Sequence, residues 1–161
     1  MKEAVSILLR VAVISLLVLA GFWLYKHSTR AAIELGDQSM DKVSFPEGGY
    51  SVNTSITSIS GLKSGDVVAY RVPRADPPVT RIARVIGVEG NKVEVTPKDV
   101  LVNGKSFGRK FELAPSWVVP ELKVPRGCVY LLADNPFIGV DSKQLGPVPF
   151  SFVIGTVKPV N

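Results

Sequence analysis

Two kinds of hydrophobic pattern divide the chain. From Ala4 to Tyr25 the residues are apolar on every helical face, interrupted by Arg10 and two serines. At ~1.5 Å rise per residue, a run of about 22 residues matches the ~30 Å hydrocarbon core of a bilayer. Val11 to Tyr25 alone is too short, so Arg10 is expected within the first turns, its head extended to the lipid headgroups. Trp23 and Tyr25 suit an aromatic belt at the far end. After Asp37 the pattern changes. Short runs rich in Val, Ile and Tyr alternate with Gly, Pro, Asn and Asp, the signature of strands and turns. The runs predict strands at Tyr50–Thr54, Val67–Val72, Thr80–Val88, Lys92–Thr96, Val100–Val102, Cys128–Leu132 and Phe152–Lys158. Asn103-Gly104 between two such runs predicts a tight hairpin, and Pro73 to Pro78 reads as a rigid connector.

The expected organisation is a membrane anchor over 1–27, a juxtamembrane linker over 28–35 and one β-rich domain over 36–161. With 12 prolines and 14 glycines in 161 residues, long helices beyond the anchor are disfavoured. An all-β, partly closed barrel-like domain follows. A cleaved signal peptide is the rival reading of the N-terminus. It needs a small-x-small site, and Gly21 to Lys26 is bulky there. Lys2 and Arg10 flank one side of the run and Lys26 and Arg30 the other, so charge scarcely orients it.

Composition narrows the chemistry. Cys128 is the single cysteine and His27 the single histidine. This excludes an intrachain disulfide and a Ser-His-Asp triad, and leaves no basis for a zinc cluster or another metal site. Cys128 reads as a buried structural residue, and no cofactor is implied. The net charge is +5, but from Ser28 onward 16 Lys/Arg face 13 Asp/Glu, a net of about +3. These charges are scattered. They suit a solvated surface near lipid and argue against nucleic acid as a partner.

Several segments carry a family resemblance. Gly36-Asp37-Gln38-Ser39-Met40 resembles a "G-D-S-M" nucleophile box with one residue displaced. Leu62-Lys63-Ser64-Gly65-Asp66-Val67-Val68 resembles a "G-D-x-V" turn and strand. Thr80 to Gly90 resembles a base-bearing "R-V-I-G-x-x-G" strand. Ala133-Asp134-Asn135 through Asp141-Ser142-Lys143 to Gly146-Pro147-Val148 resembles "G-D-N-x-x-x-S-x-D-S-R-x-[FW]-G-x-V". In this order they resemble the type I signal peptidases (leader peptidases, peptidase family S26). Ser44 to Tyr50 resembles the "S-x-P-x-G-x-Y" box of the conjugal-transfer maturation peptidase branch.

The resemblance implies a signal-peptidase-like, SOS-repressor-protease-like β-barrel domain behind one transmembrane helix. It also implies a single-pass protein of the cell (plasma) membrane with its domain on the extracytoplasmic side. The activity implied is a serine endopeptidase that removes N-terminal signal peptides of exported pre-proteins after small residues. Ser39 would be the nucleophile, with Ser44 the alternative. Met40 and Ile82 would line the substrate groove, and Arg84, Asp134, Asn135, Asp141, Ser142 and Lys143 would support the site. The expected partners are signal peptides and the lipid bilayer.

Three departures bear on activity. The family's general-base lysine falls at Ala83, which cannot accept a proton. Gly139 stands where a serine would hydrogen-bond that lysine. Asp37 stands where a hydroxyl can support the oxyanion, and a carboxylate would oppose it. Arg81 and Arg84 stay charged and are poor bases, while Lys42 could reach in from elsewhere. The alternative is therefore a catalytically impaired pseudoprotease that binds signal-peptide-like segments or a partner peptidase. The segment Lys105 to Pro125 resembles no box, and reads as a surface loop or an elaborated hairpin against the membrane.

Overall fold

A computed structural model describes residues 2–28, 30–33, 40, 50–109, 111, 117–135 and 137–159; before residue 40, side chains are described only over 10–23. An N-terminal helix α1 (Lys2–Ser28) precedes a β-rich body. Its described side chains are all exposed, including Leu16, Leu17, Val18, Leu19 and Phe22. Among the described residues, no helix is long and apolar enough to cross a membrane.

Among the described residues eleven strands follow: β1 (Arg30–Ile33), β2 (Tyr50–Asn53), β3 (Val67–Arg71), β4 (Thr80–Val88), β5 (Lys92–Val95), β6 (Val100–Val102), β7 (Lys105–Ser106), β8 (Val119–Lys123), β9 (Cys128–Leu132), β10 (Val148–Pro149) and β11 (Val153–Pro159). A one-turn helix α2 (Ser142–Leu145) lies between β9 and β10. The strands form a seven-stranded sheet in the order β1-β2-β11-β3-β4-β9-β10 and a four-stranded sheet in the order β7-β6-β5-β8. All pairings are antiparallel. The body is thus mainly β. The larger ladder ends at β1 and β10 among the described residues rather than closing on itself.

Seven strands fall where the sequence pattern puts them. Four others do not. Arg30–Ile33 was expected to be linker; it pairs with β2 along its whole length. The stretch Lys105 to Pro125 was expected to be a loop or hairpin; it supplies β7 and β8, the two edges of the smaller sheet. β10 was also missed. These strands are short or carry Pro, Lys and Glu, and alternation cannot be read in them. Cross-strand partners create them. The Asn103-Gly104 hairpin is present: both residues have positive φ, 52° and 75°, between the Val102↔Lys105 pair of β6 and β7.

The alternation of strand side chains sorts the core. On one face of the larger sheet, Val67, Ala69 and Ile82 pack with Met40, Tyr50, Val52 and Val157. On the other, Val68, Tyr70, Ala83 and Val85 pack with Leu62, Val129, Leu131 and Val148. The smaller sheet covers a third cluster, in which Ile86, Tyr130 and Leu132 meet Val93, Val95, Val100 and Val124. A β-bulge between Val85 and Gly87, opposite Leu131 and Tyr130, lets β4 serve both sheets. Cys128, expected to be buried, is half-buried at the start of β9 and packs on this third cluster.

Candidate functional site

β4 is the spine of the candidate site. β3 pairs with it from Thr80 to Arg84, and β9 pairs with it from Arg84 to Val88. Arg84 lies where the two ladders overlap, and its side chain is nearly buried. Its Nε and Nη2 donate to Asp134 Oδ1 and Oδ2 at 2.8 and 2.6 Å, a two-pronged pair. Its Nη1 donates to the Gly65 carbonyl at 2.9 Å. One guanidinium therefore joins three of the motifs singled out above: the Gly65-Asp66 turn, the β4 strand and the Asp134-Asn135 pair. Gly65 itself has φ 101°, which only glycine adopts without strain, and Asp66 closes the turn by accepting the Lys63 N–H at 2.8 Å.

Asp134 has a second cation. Arg109 Nη2 sits 3.1 Å from Asp134 Oδ2. Arg109 comes from the segment after β7 that matched no motif, so sequence reasoning missed it. Only the tertiary fold lays that segment beside Asp134. Asn135 makes a local turn: its Oδ1 accepts the Phe137 N–H at 3.3 Å.

The Asp141-Ser142-Lys143 motif is a buried clasp on the outer side of β9. Asp141 caps α2, with Gln144 completing the capping box. Its Oδ2 accepts the Ala133 N–H at 3.0 Å, and Ser142 Oγ accepts the Leu131 N–H at 2.9 Å. Two side chains thus continue the β9 hydrogen-bond pattern beyond the short strand β10. Lys143 Nζ donates to Asp141 Oδ2. The same ammonium lies 5.3 Å from the ring centroid of Trp117, a cation–π contact in a half-buried setting.

Met40 and Ile82, the two residues expected to line a substrate groove, are both buried in one hydrophobic cluster. Ala83 faces the opposite way. It is fully buried among Leu62, Val68, Tyr70, Val85 and Leu131. Tyr70 was not singled out from the sequence beyond its place in the Gly65-Asp66 strand. It is fully buried, and its hydroxyl donates to the Val140 carbonyl. Gly139, beside Val140, is buried as well. Both nucleophile candidates, Ser39 and Ser44, lie outside the described residues, as do Lys42 and Asp37. Among the described residues, no cluster of His, Cys, Asp and Glu could hold a metal ion.

Beside the clasp, Phe137, Ile138 and Val140 turn outward and expose 66%, 46% and 38% of their surfaces. The Trp117 and Phe137 rings pack with centroids 5.1 Å apart. Together these residues form an apolar rim beside the clasp. Tyr130, inside the third cluster, has a buried hydroxyl with no hydrogen-bond partner among the described residues. Burial, followed by the nearby Asp141 charge, raises its phenol above the usual range.

Comparison with known proteins identifies a family for the chain. The family profile described as "Signal peptidase, peptidase S26" matches residues 1–160. The chain belongs to that family. It is 34% identical over 91 residues to the mitochondrial ATP-independent inner membrane protease subunit 1a of Arabidopsis thaliana, covering 56% of this chain and 45% of that protein. It is 30% identical over 97 residues to the mitochondrial inner membrane protease subunit 1 of Mus musculus, covering 60% and 48%. It is 26% identical over 119 residues to signal peptidase I of Bacillus amyloliquefaciens, covering 66% and 61%. The chain spans about half the length of the first two relatives. A solved signal peptidase I from Enterococcus faecalis superposes with a TM-score of 0.49 at 22% identity, over 59% of this chain and 95% of that one.

Proposed function

We propose that the chain is a membrane-anchored signal peptidase, a serine endopeptidase that takes N-terminal signal peptides of exported pre-proteins and cuts after small residues. The observation that carries this reading is the Arg84 hub, which joins three of the resembling segments through one guanidinium. Such a hub fixes the height and direction of β4, the strand beside which a peptide would lie as an added strand. Met40 and Ile82, on one face, would read small side chains. Ser39 would be the nucleophile, with Ser44 the alternative. Attack by its hydroxyl on the scissile carbonyl requires loss of a proton, and Ala83 offers no acceptor. Lys143 is held by Asp141 and Trp117; a lysine from elsewhere, such as Lys42, would have to reach in as the base.

The anchor is α1. Its apolar side chains are exposed around the whole helix from Val11 to Trp23, an arrangement that calls for an apolar surrounding. A single-pass membrane location with the β domain extracytoplasmic belongs to this proposal.

A second reading is favoured by one observation. Ala83 is sealed in an apolar cluster with no proton acceptor at that position; the chain would then bind signal-peptide-like segments or a partner peptidase without cutting them. Loss of general-base assistance alone costs a factor of ~10²–10⁴ in rate.

The test is cleavage of a pre-protein with an Ala-x-Ala site by the full chain in detergent micelles, with peptide binding followed in parallel. Cleavage abolished by Ser39→Ala and by Lys42→Met supports the peptidase with that pair. Cleavage that survives Ser39→Ala but not Ser44→Ala moves the nucleophile. Binding without cleavage establishes the second reading, and neither binding nor cleavage refutes both.

A further inference from the structure

We propose that Tyr70 is a positioning residue of the groove: its ring fills the space over Ala83, and its hydroxyl holds the Phe137–Val140 rim in place. The inference deepens the proposed function and rests on it only where peptide binding is concerned.

The argument starts from register. Val68 pairs with Ala83, and Tyr70 with Arg81. Tyr70 and Ala83 are therefore diagonal neighbours on one face of the β3–β4 ladder, a separation that an aromatic side chain spans. Both are fully buried in the same cluster. The hydroxyl of Tyr70 ends on the carbonyl of Val140. The next residue, Asp141, lies on the outer side of β9, where its carboxylate accepts the Ala133 N–H. Neighbouring strands are ~4.8 Å apart. A side chain rooted on β3 that meets a carbonyl beside β9 must cross the face of β4, and the small residue there is Ala83.

Size and polarity fit this crossing. A methyl group at 83 leaves room for a ring above it, whereas a longer side chain would enter that room. The phenol brings its own hydrogen-bond donor into an apolar cluster, where an unpaired hydroxyl is costly. Val140 supplies the acceptor. The bond ties the rim at its Val140 end, where the Asp141 clasp follows directly; at the other end the Phe137 N–H donates to Asn135 Oδ1 and the Phe137 ring packs on Trp117. Between them, Phe137 and Ile138 are exposed yet tethered. An apolar rim fixed on both sides presents a set surface to an apolar peptide segment, with little ordering cost on binding.

The experiment uses the full chain in detergent micelles and Tyr70→Phe, which keeps the ring and removes the tie. Amide hydrogen exchange of Phe137, Ile138 and Val140 is measured. So is the affinity for a fluorescein-labelled peptide with an apolar core followed by Ala-x-Ala. Losing one hydrogen bond should speed exchange at the rim by about three- to tenfold, with exchange in β5 and β6 unchanged, and should weaken peptide binding several-fold. Unchanged rim exchange overturns the tie. Faster exchange with unchanged affinity overturns the positioning role. If neither protein binds peptide, the substrate reading fails, and rim exchange still decides the tie.

A second measurement tests the ring. Ala83→Lys is placed in the native and Tyr70→Phe backgrounds, and the unfolding equilibria are compared. A ring pinned over position 83 by its hydroxyl predicts that lysine costs at least fivefold more in the native background than beside the unpinned phenyl ring of Tyr70→Phe; additive effects within twofold refute the pinning.

Discussion

Replacing Asp134 by alanine should destabilise the β domain more than any surface change, and the size follows from the burial of its partners. The Asp134 side chain is 1% exposed and that of Arg84 11%. Arg84 makes two bonds to Asp134, at 2.8 and 2.6 Å. Removing the carboxylate leaves a nearly buried guanidinium with only the Gly65 carbonyl. Breaking a buried pair from one side costs about 3–5 kcal/mol, because the remaining charge keeps its desolvation penalty. Arg109 adds little: its side chain is 29% exposed, and pairs of that kind contribute below about 1 kcal/mol. A loss of about 3 kcal/mol corresponds to a fall in Tm on the order of 10–15 °C for a domain of this size.

The assay is thermal and denaturant unfolding of the full chain in detergent, for Asp134→Ala, Arg109→Ala and the double replacement Arg84→Met with Asp134→Leu. The double variant removes both charges and fills the space, so it should recover at least half of the loss. Arg109→Ala should stay within about 1 kcal/mol of the native chain. An Asp134→Ala loss below about 1 kcal/mol, or a double variant no better than the single one, would refute the reasoning. The hub would then be a marginal surface contact rather than the joint between β3, β4 and the chain after β9.

Two further outcomes follow from other parts of the fold. Gly155 sits at the β11 bulge, where an added Cβ would lie 2.3 Å from the Asn53 carbonyl oxygen and 2.8 Å from its carbon. Both are backbone atoms that cannot swing aside, so Gly155→Ala should cost about 3 kcal/mol or more; a loss under about 1 kcal/mol in urea unfolding would show that β2 and β11 separate easily. Tyr130 holds its proton more tightly folded than unfolded, through burial first and the Asp141 charge second. Its contribution is therefore complete below the unfolded phenol's pKa near ~10 and is lost as pH rises above that. Denaturation at pH 9 and 11 should show a loss for the native chain that is smaller in Tyr130→Phe; equal losses would remove Tyr130 as the cause.

Much of the candidate site could be read as sequence because its motifs are local. Gly65-Asp66 makes its turn from neighbouring atoms. Asp141 through Gln144 forms a capping box within one helical turn. The long alternating runs at Thr80–Val88 and Cys128–Leu132 could only be strands. The segments that were misread depend on partners distant in sequence. Arg30–Ile33 and Val119–Lys123 have no alternation of their own and become strands through β2 and β5.

The chain's order of motifs determined the family, the mainly β class and the absence of a proton acceptor at position 83. Only the tertiary structure decided what surrounds these residues. It put Arg84 between two ladders, with Asp134 and Gly65 within reach of one guanidinium. It added Arg109 from a segment without a motif, and it carried the Tyr70 hydroxyl to Val140 across a separation of 70 residues. The reason is physical. Periodicity and turn chemistry are set by residues a few positions apart. Burial, ion pairing and the filling of space depend on which strands become neighbours, and no local pattern encodes that.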